Sequence, residues 1–143
     1  MSVSRRAVLV LVAATWPVAA GADEAALDAA IREAIGDAVP EDGGVTLRLP
    51  ATAENGAQVP VTVLADSPMT EADHVTALHL FATRNPTPGI ASFRLAPGIA
   101  RAEIQTRIRL AEGQRIIALA QYNDGRVRRA VAETRVTAGT CLT

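Results

Sequence analysis

Few side chains in this sequence could do chemistry, and Cys141 stands apart as the only cysteine among 143 residues. A thiol attacks only as its thiolate, and an unperturbed cysteine ionises near a pH of about 8.5. No positive side chain lies nearer in sequence than Arg135, so Cys141 alone is expected to be a modest nucleophile. A single cysteine excludes an internal disulfide framework and any multi-thiolate metal site. It leaves a thiol that is free, modified or bonded to another molecule. His74 and His79 are the only histidines. In a strand-like run they fall on opposite faces, so a shared metal site is not expected. A Cys–His nucleophile pair would need a histidine near the chain end, and nothing positions one there. Asp66, Glu71 and Asp73 cluster by a loop and read as a solvated acidic turn rather than a calcium site. No GxSxG elbow, HExxH helix, phosphate loop or dinucleotide glycine pattern occurs. The expectation is therefore no catalytic residue, no metal and no cofactor.

Composition narrows the partners. All 14 basic residues are arginine, the formal net charge is −1, and no basic block suggests a nucleic-acid footprint. With 49% apolar and 20% charged residues, the chain has the means to build a packed core. Residues 1–22 read as an export signal. Arg5 and Arg6 precede an apolar run from Ala7 to about Trp16, and Ala20-Gly21-Ala22 offers a small-residue cleavage site. That run is shorter than the roughly 20 residues of a membrane span. Ser4-Arg5-Arg6 resembles the twin-arginine export motif, with the general secretory route as the alternative. The expected mature chain begins at Asp23, is periplasmic and has no membrane attachment.

Along that mature chain, the apolar period sets the elements. Asp23 reads as an N-cap, Leu27, Ile31 and Ile35 share one helical face, and Gly36 stops the helix. From Val45 the period becomes two. Val45, Leu47 and Leu49 form one run, and Val59, Val61 and Val63 a second, with Glu54-Asn55-Gly56 as the turn signal between them. A third run, His74 to Thr83, is broken by Asn85-Pro86-Thr87-Pro88-Gly89. Ala102 to Leu110 alternates with Arg101, Glu103, Gln105, Arg107 and Arg109, the pattern of a half-buried strand. Glu112-Gly113 turns the chain into an inner strand, Arg115 to Tyr122, and Asn123-Asp124-Gly125 returns it through Val127 to Val136. Strands at this spacing predict an all-β fold, an immunoglobulin-like antiparallel sandwich with a short N-terminal helix. Residues 23–136 form one domain, and residues 137–143 project from it as a flexible arm. From Val136 to Cys141 such an arm spans roughly 16–18 Å at full extension, enough for its thiol to enter another protein's cleft. Arginines concentrate in the second half, and Arg107 and Arg109 share a strand face. They read either as a surface for acidic groups of a partner or as a solvated edge that discourages aggregation.

The segment from Leu47 to Val63, with Asn85-Pro86 and Pro88, Thr106 to Ala111, Gln114 and Asp124-Gly125, resembles the SoxY family. That family comprises the sulfur-carrier subunits of bacterial thiosulfate oxidation. The resemblance spans nearly the whole mature chain. It implies an immunoglobulin-like sandwich, a twin-arginine leader and a C-terminal swinging arm whose cysteine carries thiosulfate-derived intermediates covalently. It also implies a heterodimer with a SoxZ-like subunit, and Sox-type enzymes that load, oxidise and hydrolyse the cargo. Cys141 matches the carrier cysteine, with two residues following it. Ala138, Gly139, Thr140, Leu142 and Thr143 would form the arm, yet only Gly139 keeps the family's Gly-Gly-Cys-Gly-Gly pattern. Thr140 is β-branched and stiff, and Leu142 adds bulk beside the thiol, which marks a divergent carrier. The expectation is a non-enzymatic periplasmic carrier loaded at Cys141. The alternative is an immunoglobulin-like interaction module whose cysteine is incidental or forms an intermolecular disulfide.

Overall fold

The computed structural model describes residues 20–138, with side chains from Glu24 onward. Its elements run α1 (Ala20–Ile35), β1 (Glu41–Asp42), β2 (Val45–Arg48), β3 (Thr52–Ala53), β4 (Val59–Ala65), β5 (Val75–Ala82), β6 (Gly89–Arg94), β7 (Ala102–Ile108), β8 (Gln114–Tyr122) and β9 (Val127–Val136). Alternation of small and branched apolar residues fixes which face of each strand is buried. Val59, Val61 and Val63 of β4 point inward and meet Leu78 and Leu80 of β5 and Ile116, Ala118 and Ala120 of β8. These contacts join two sheets, one ordered β1-β9-β8-β5-β6 with β3 also on β9, the other ordered β2-β4-β7. The result is the expected β-sandwich.

The larger sheet is covered on its second face as well. There α1 lays Leu27, Ile31 and Ile35 against Phe81, Leu119 and Val127, the stripe that its four-residue spacing predicts. Burial from both sides explains why Leu78, His79, Leu80, Phe81 and Ala82 are all buried in succession, the run-on pattern of a two-sided strand. As described, the helix begins at Ala20, so Asp23 lies within its first turns and does not cap it. Among the described residues no helix is long and apolar enough to cross a membrane.

Three strands escape the sequence reading. β6 follows the Pro-rich break directly, and its pairing with β5 slips register between Leu80 and Phe81, so no clean alternation marks it. β1 and β3 are two-residue parallel fragments on β9, too short for any period. The Asn123-Asp124-Gly125 hairpin forms as expected. Gly125 takes φ +91°, and Tyr122 exchanges backbone bonds across the turn with Gly125 and Arg126. Glu112-Gly113, by contrast, carries the chain from the small sheet to the large one.

Candidate functional site

β9 delivers the chain toward its C-terminal residues, so the end of the sandwich at Val136 is where any arm must be rooted. The last residues of β9 are fastened to the segment before β4. Thr134 is only 1% exposed, and its hydroxyl donates to the Pro50 carbonyl at 2.7 Å. The amide of Arg135 donates to Ala51 O at 2.9 Å, and that of Thr137 to Ala53 O at 3.0 Å. β3 thus lies parallel alongside Arg135 and Val136.

One residue further, Gly56 closes the root. Its N–H donates to Ala138 O at 2.9 Å, and its own carbonyl accepts from Leu110 N at 2.8 Å. The local sequence makes that turn. The Asn55 side-chain oxygen accepts from Ala57 N at 2.9 Å, and Asn55 O accepts from Gln58 N, a side-chain-stabilised turn typical of Asn. Only glycine fits there, because a Cβ on Gly56 would sit 2.5 Å from Leu110 O and 3.0 Å from Val136 Cγ1. Gly113 is pressed similarly against β9, where a Cβ would lie 3.2 Å from Arg135 Cα.

A buried amide network holds the neighbouring turns in place. Gln114, 4% exposed, accepts from Arg84 N at 2.7 Å and donates to Asn85 Oδ1 at 2.8 Å and Glu112 O at 3.0 Å. Asn85 in turn donates to Arg109 O at 2.9 Å and accepts from Ala111 N at 3.1 Å. These bonds tie the β5–β6 turn to the β7–β8 connection and satisfy polar groups that burial would otherwise penalise. Around this scaffold the rim is exposed and of mixed charge, with Glu54, Arg84, Arg109, Glu112 and Arg135 at the surface.

Of the residues expected to form the arm, Thr137 and Ala138 are therefore part of the body's hydrogen-bonded framework. Cys141, Gly139, Thr140, Leu142 and Thr143 lie outside the described residues, as do Ser4, Arg5 and Arg6. The histidines do not meet. His74 precedes β5 with Nδ1 2.9 Å from Thr70 O, while His79 is buried between Ser92 Oγ at 2.7 Å and Gln121 Oε1 at 2.8 Å. Among the described residues no group of three His, Cys, Asp or Glu side chains could hold a metal ion. Asp73 bonds Arg126 at 3.2 Å, and Arg126 also bonds Asp124 at 2.6 Å and covers the Tyr122 ring at 4.7 Å. Of that acidic cluster, Asp73 alone thereby braces the β8–β9 hairpin. Sequence reasoning took Asn55-Gly56 as a turn alone and missed its grip on Ala138. The contacts that reveal it come from Leu110 and Ala138, both far away in sequence.

The overall fold is paralleled in known proteins. A family model described as sulfur oxidation protein SoxY matches residues 31–141, a span that includes Cys141. The solved structure of the sulfur carrier protein SoxY from Chlorobium limicola f thiosulfatophilum is 32% identical, with a TM-score of 0.68, over 80% of this chain and 99% of that one. A putative superoxide reductase from Thermotoga maritima is 14% identical with a TM-score of 0.61, covering 69% of this chain and 95% of that chain. A superoxide reductase (neelaredoxin) from Ignicoccus hospitalis is 16% identical with a TM-score of 0.57, over 66% and 80% respectively. These two share the fold alone. No curated protein matches the chain.

Proposed function

Since the chain belongs to the SoxY family, we propose that it is a non-enzymatic carrier of sulfur-oxidation intermediates, holding its cargo covalently on Cys141. The observation that carries this reading is the family match extending through Cys141, together with a root at Ala138 fixed only three residues before it. A rigid scaffold with its nucleophile on a short tether suits delivery, because the thiol travels while the body docks. Loading thiosulfate joins the Cys141 sulfur to the terminal sulfur of the anion. The thiol proton leaves, and two electrons pass to an acceptor supplied by the loading enzyme. No base beside Cys141 is needed if that enzyme's site lowers the thiol pKa.

The remaining expectations form one picture with this role. The carrier works in the periplasm, pairs with a SoxZ-like subunit and presents its cargo to Sox-type enzymes. Export through Ser4, Arg5 and Arg6 ends with cleavage after Ala22. Cleavage there would trim the helix to start at Asp23, a carboxylate favoured at a helix N-terminus. Leu27, Ile31 and Ile35 would stay in place against the sheet. Mass determination of the protein from a periplasmic fraction checks the new terminus.

Intact mass spectrometry tests the carrier role directly. Incubation with thiosulfate, the loading enzyme and its electron acceptor should add a thiosulfonate to the wild-type chain and nothing to Cys141→Ser. Formation of disulfide dimers alone would instead support the interaction module.

A further inference from the structure

The small sheet ends in β7, and the path of its backbone bonds points one row of groups at open space. Pro60 of β4 stands opposite Arg107, and proline in a strand turns its nitrogen to the side that needs no donor. β2 pairs with β4 only as far as Arg48–Thr62, so the vacant side at Pro60 is that of β2. Alternate residues of an antiparallel strand bond to opposite neighbours. Val59, Val61 and Val63 therefore bond β7 at Ile108, Thr106 and Ile104, and Glu103, Gln105 and Arg107 turn their N–H and C=O groups outward. The carbonyl of Arg109, next in that phase, does face outward and is taken by Asn85 Nδ2 at 2.9 Å. That bond closes one end of the edge. Among the described residues no backbone group pairs with Glu103, Gln105 or Arg107 on this outer side.

Side chains on the same three residues decide what could join that edge. Glu103 is held along the strand by Gln105 Nε2 at 3.0 Å and lies 3.8 Å from Arg101. Arg107 rests on Gln58 Oε1 at 3.2 Å and has no carboxylate of the described residues within ion-pair distance. Charged edges usually repel copies of themselves, but this one reads acid, amide, base from Glu103 to Arg107. Laid antiparallel on itself about a two-fold axis at Gln105, it sets each Glu103 opposite Arg107 of the other copy and the two Gln105 residues opposite one another. The outward N–H and C=O groups fall into bonded pairs in that same register. Arg101 and Arg109 would oppose each other only beyond the strand ends.

We propose that β7 is a self-recognition edge, on which a second copy of this chain adds its own β7 to make one continuous sheet across the two-fold axis. The inference is independent of the carrier role. A single-strand contact buries little surface, which places it among weak and reversible associations. Sedimentation of the purified protein under reducing conditions, which removes disulfide dimers through Cys141, should show a dimer at about 100 μM. Because symmetry counts each substitution twice, Glu103→Arg and Arg107→Glu should each raise the dimer dissociation constant by about tenfold or more. The double reversal, Glu103→Arg with Arg107→Glu, should return it to near the wild-type value. Within one strand these side chains are too far apart to touch, so restoration can only act between copies. Amide exchange at Gln105 should slow as concentration rises. A wild-type chain that is monomeric at about 100 μM, or a dimer indifferent to the reversals or not restored by the pair, would overturn the proposal.

Discussion

At Gly56 the turn before β4, the end of β7 and the chain leaving β9 come within van der Waals contact of one another. Gly56→Ala forces a methyl group to 2.5 Å from Leu110 O, so one of the three segments must move. A cost of about 1–3 kcal/mol is expected in urea denaturation, as for other overpacked sites. Tyr122 offers a second residue-scale test. Its hydroxyl donates to Asp66 O at 2.7 Å, and burial pushes its pKa above the usual tyrosine value, with Asp66 adding to the effect. The folded state thus holds the phenol proton more tightly than the unfolded chain. The stability this contributes is complete below about pH 10 and is lost as pH rises through the higher folded value. Tyr122→Phe should cost about 1 kcal/mol at neutral pH and should flatten the alkaline loss of stability above about pH 10, measured by denaturation across that range. Cys141 could be singled out from composition alone, being unique. The grip of Gly56 could not, because a turn glycine and a close-packed glycine leave the same dipeptide in the sequence.

Elements differ in how openly they announce themselves. The helix was legible because its apolar residues face one way over three turns, and Ile35, 7% exposed, anchors that stripe on Phe81 and Leu119. Ile35→Ala should destabilise the fold by about 2–4 kcal/mol, read from a shifted urea midpoint. β4, β7 and β8 were equally plain, since each alternates cleanly or is continuously apolar. β1 exists through its partner. Its carboxylates bond Arg128 at 3.1 Å and Arg129 at 2.7 Å, and the second bond holds the Asp42 carboxyl below the usual aspartate range. That contribution is present at neutral pH and fades as pH falls through the depressed value. β3 likewise depends on Arg135 and Val136. Two-residue fragments carry no period, so only the folded neighbour reveals them.

For the whole molecule, a sandwich with one helix was readable from strand spacing, but the assignment of strands to sheets was not. The Glu112-Gly113 turn has the local chemistry of a hairpin, yet it joins strands of different sheets, and Gly113 passes tightly against Thr134 and Arg135 on the way. Cys141→Ser should leave the urea midpoint unchanged while abolishing the thiosulfonate adduct in the mass spectrum, separating the chemistry of the terminus from the stability of the body.

Holding the backbone at Ala138 also shortens the leash. From there to Cys141 the chain spans about 10–11 Å at full stretch, well short of the distance available had it been loose from Val136. If Cys141 carries cargo as proposed, an enzyme that serves it cannot keep its reactive centre at the bottom of a long shaft. On that proposal its mouth would seat on the exposed rim around Glu54, Arg109 and Glu112, so shape and charge there would decide which enzymes are served.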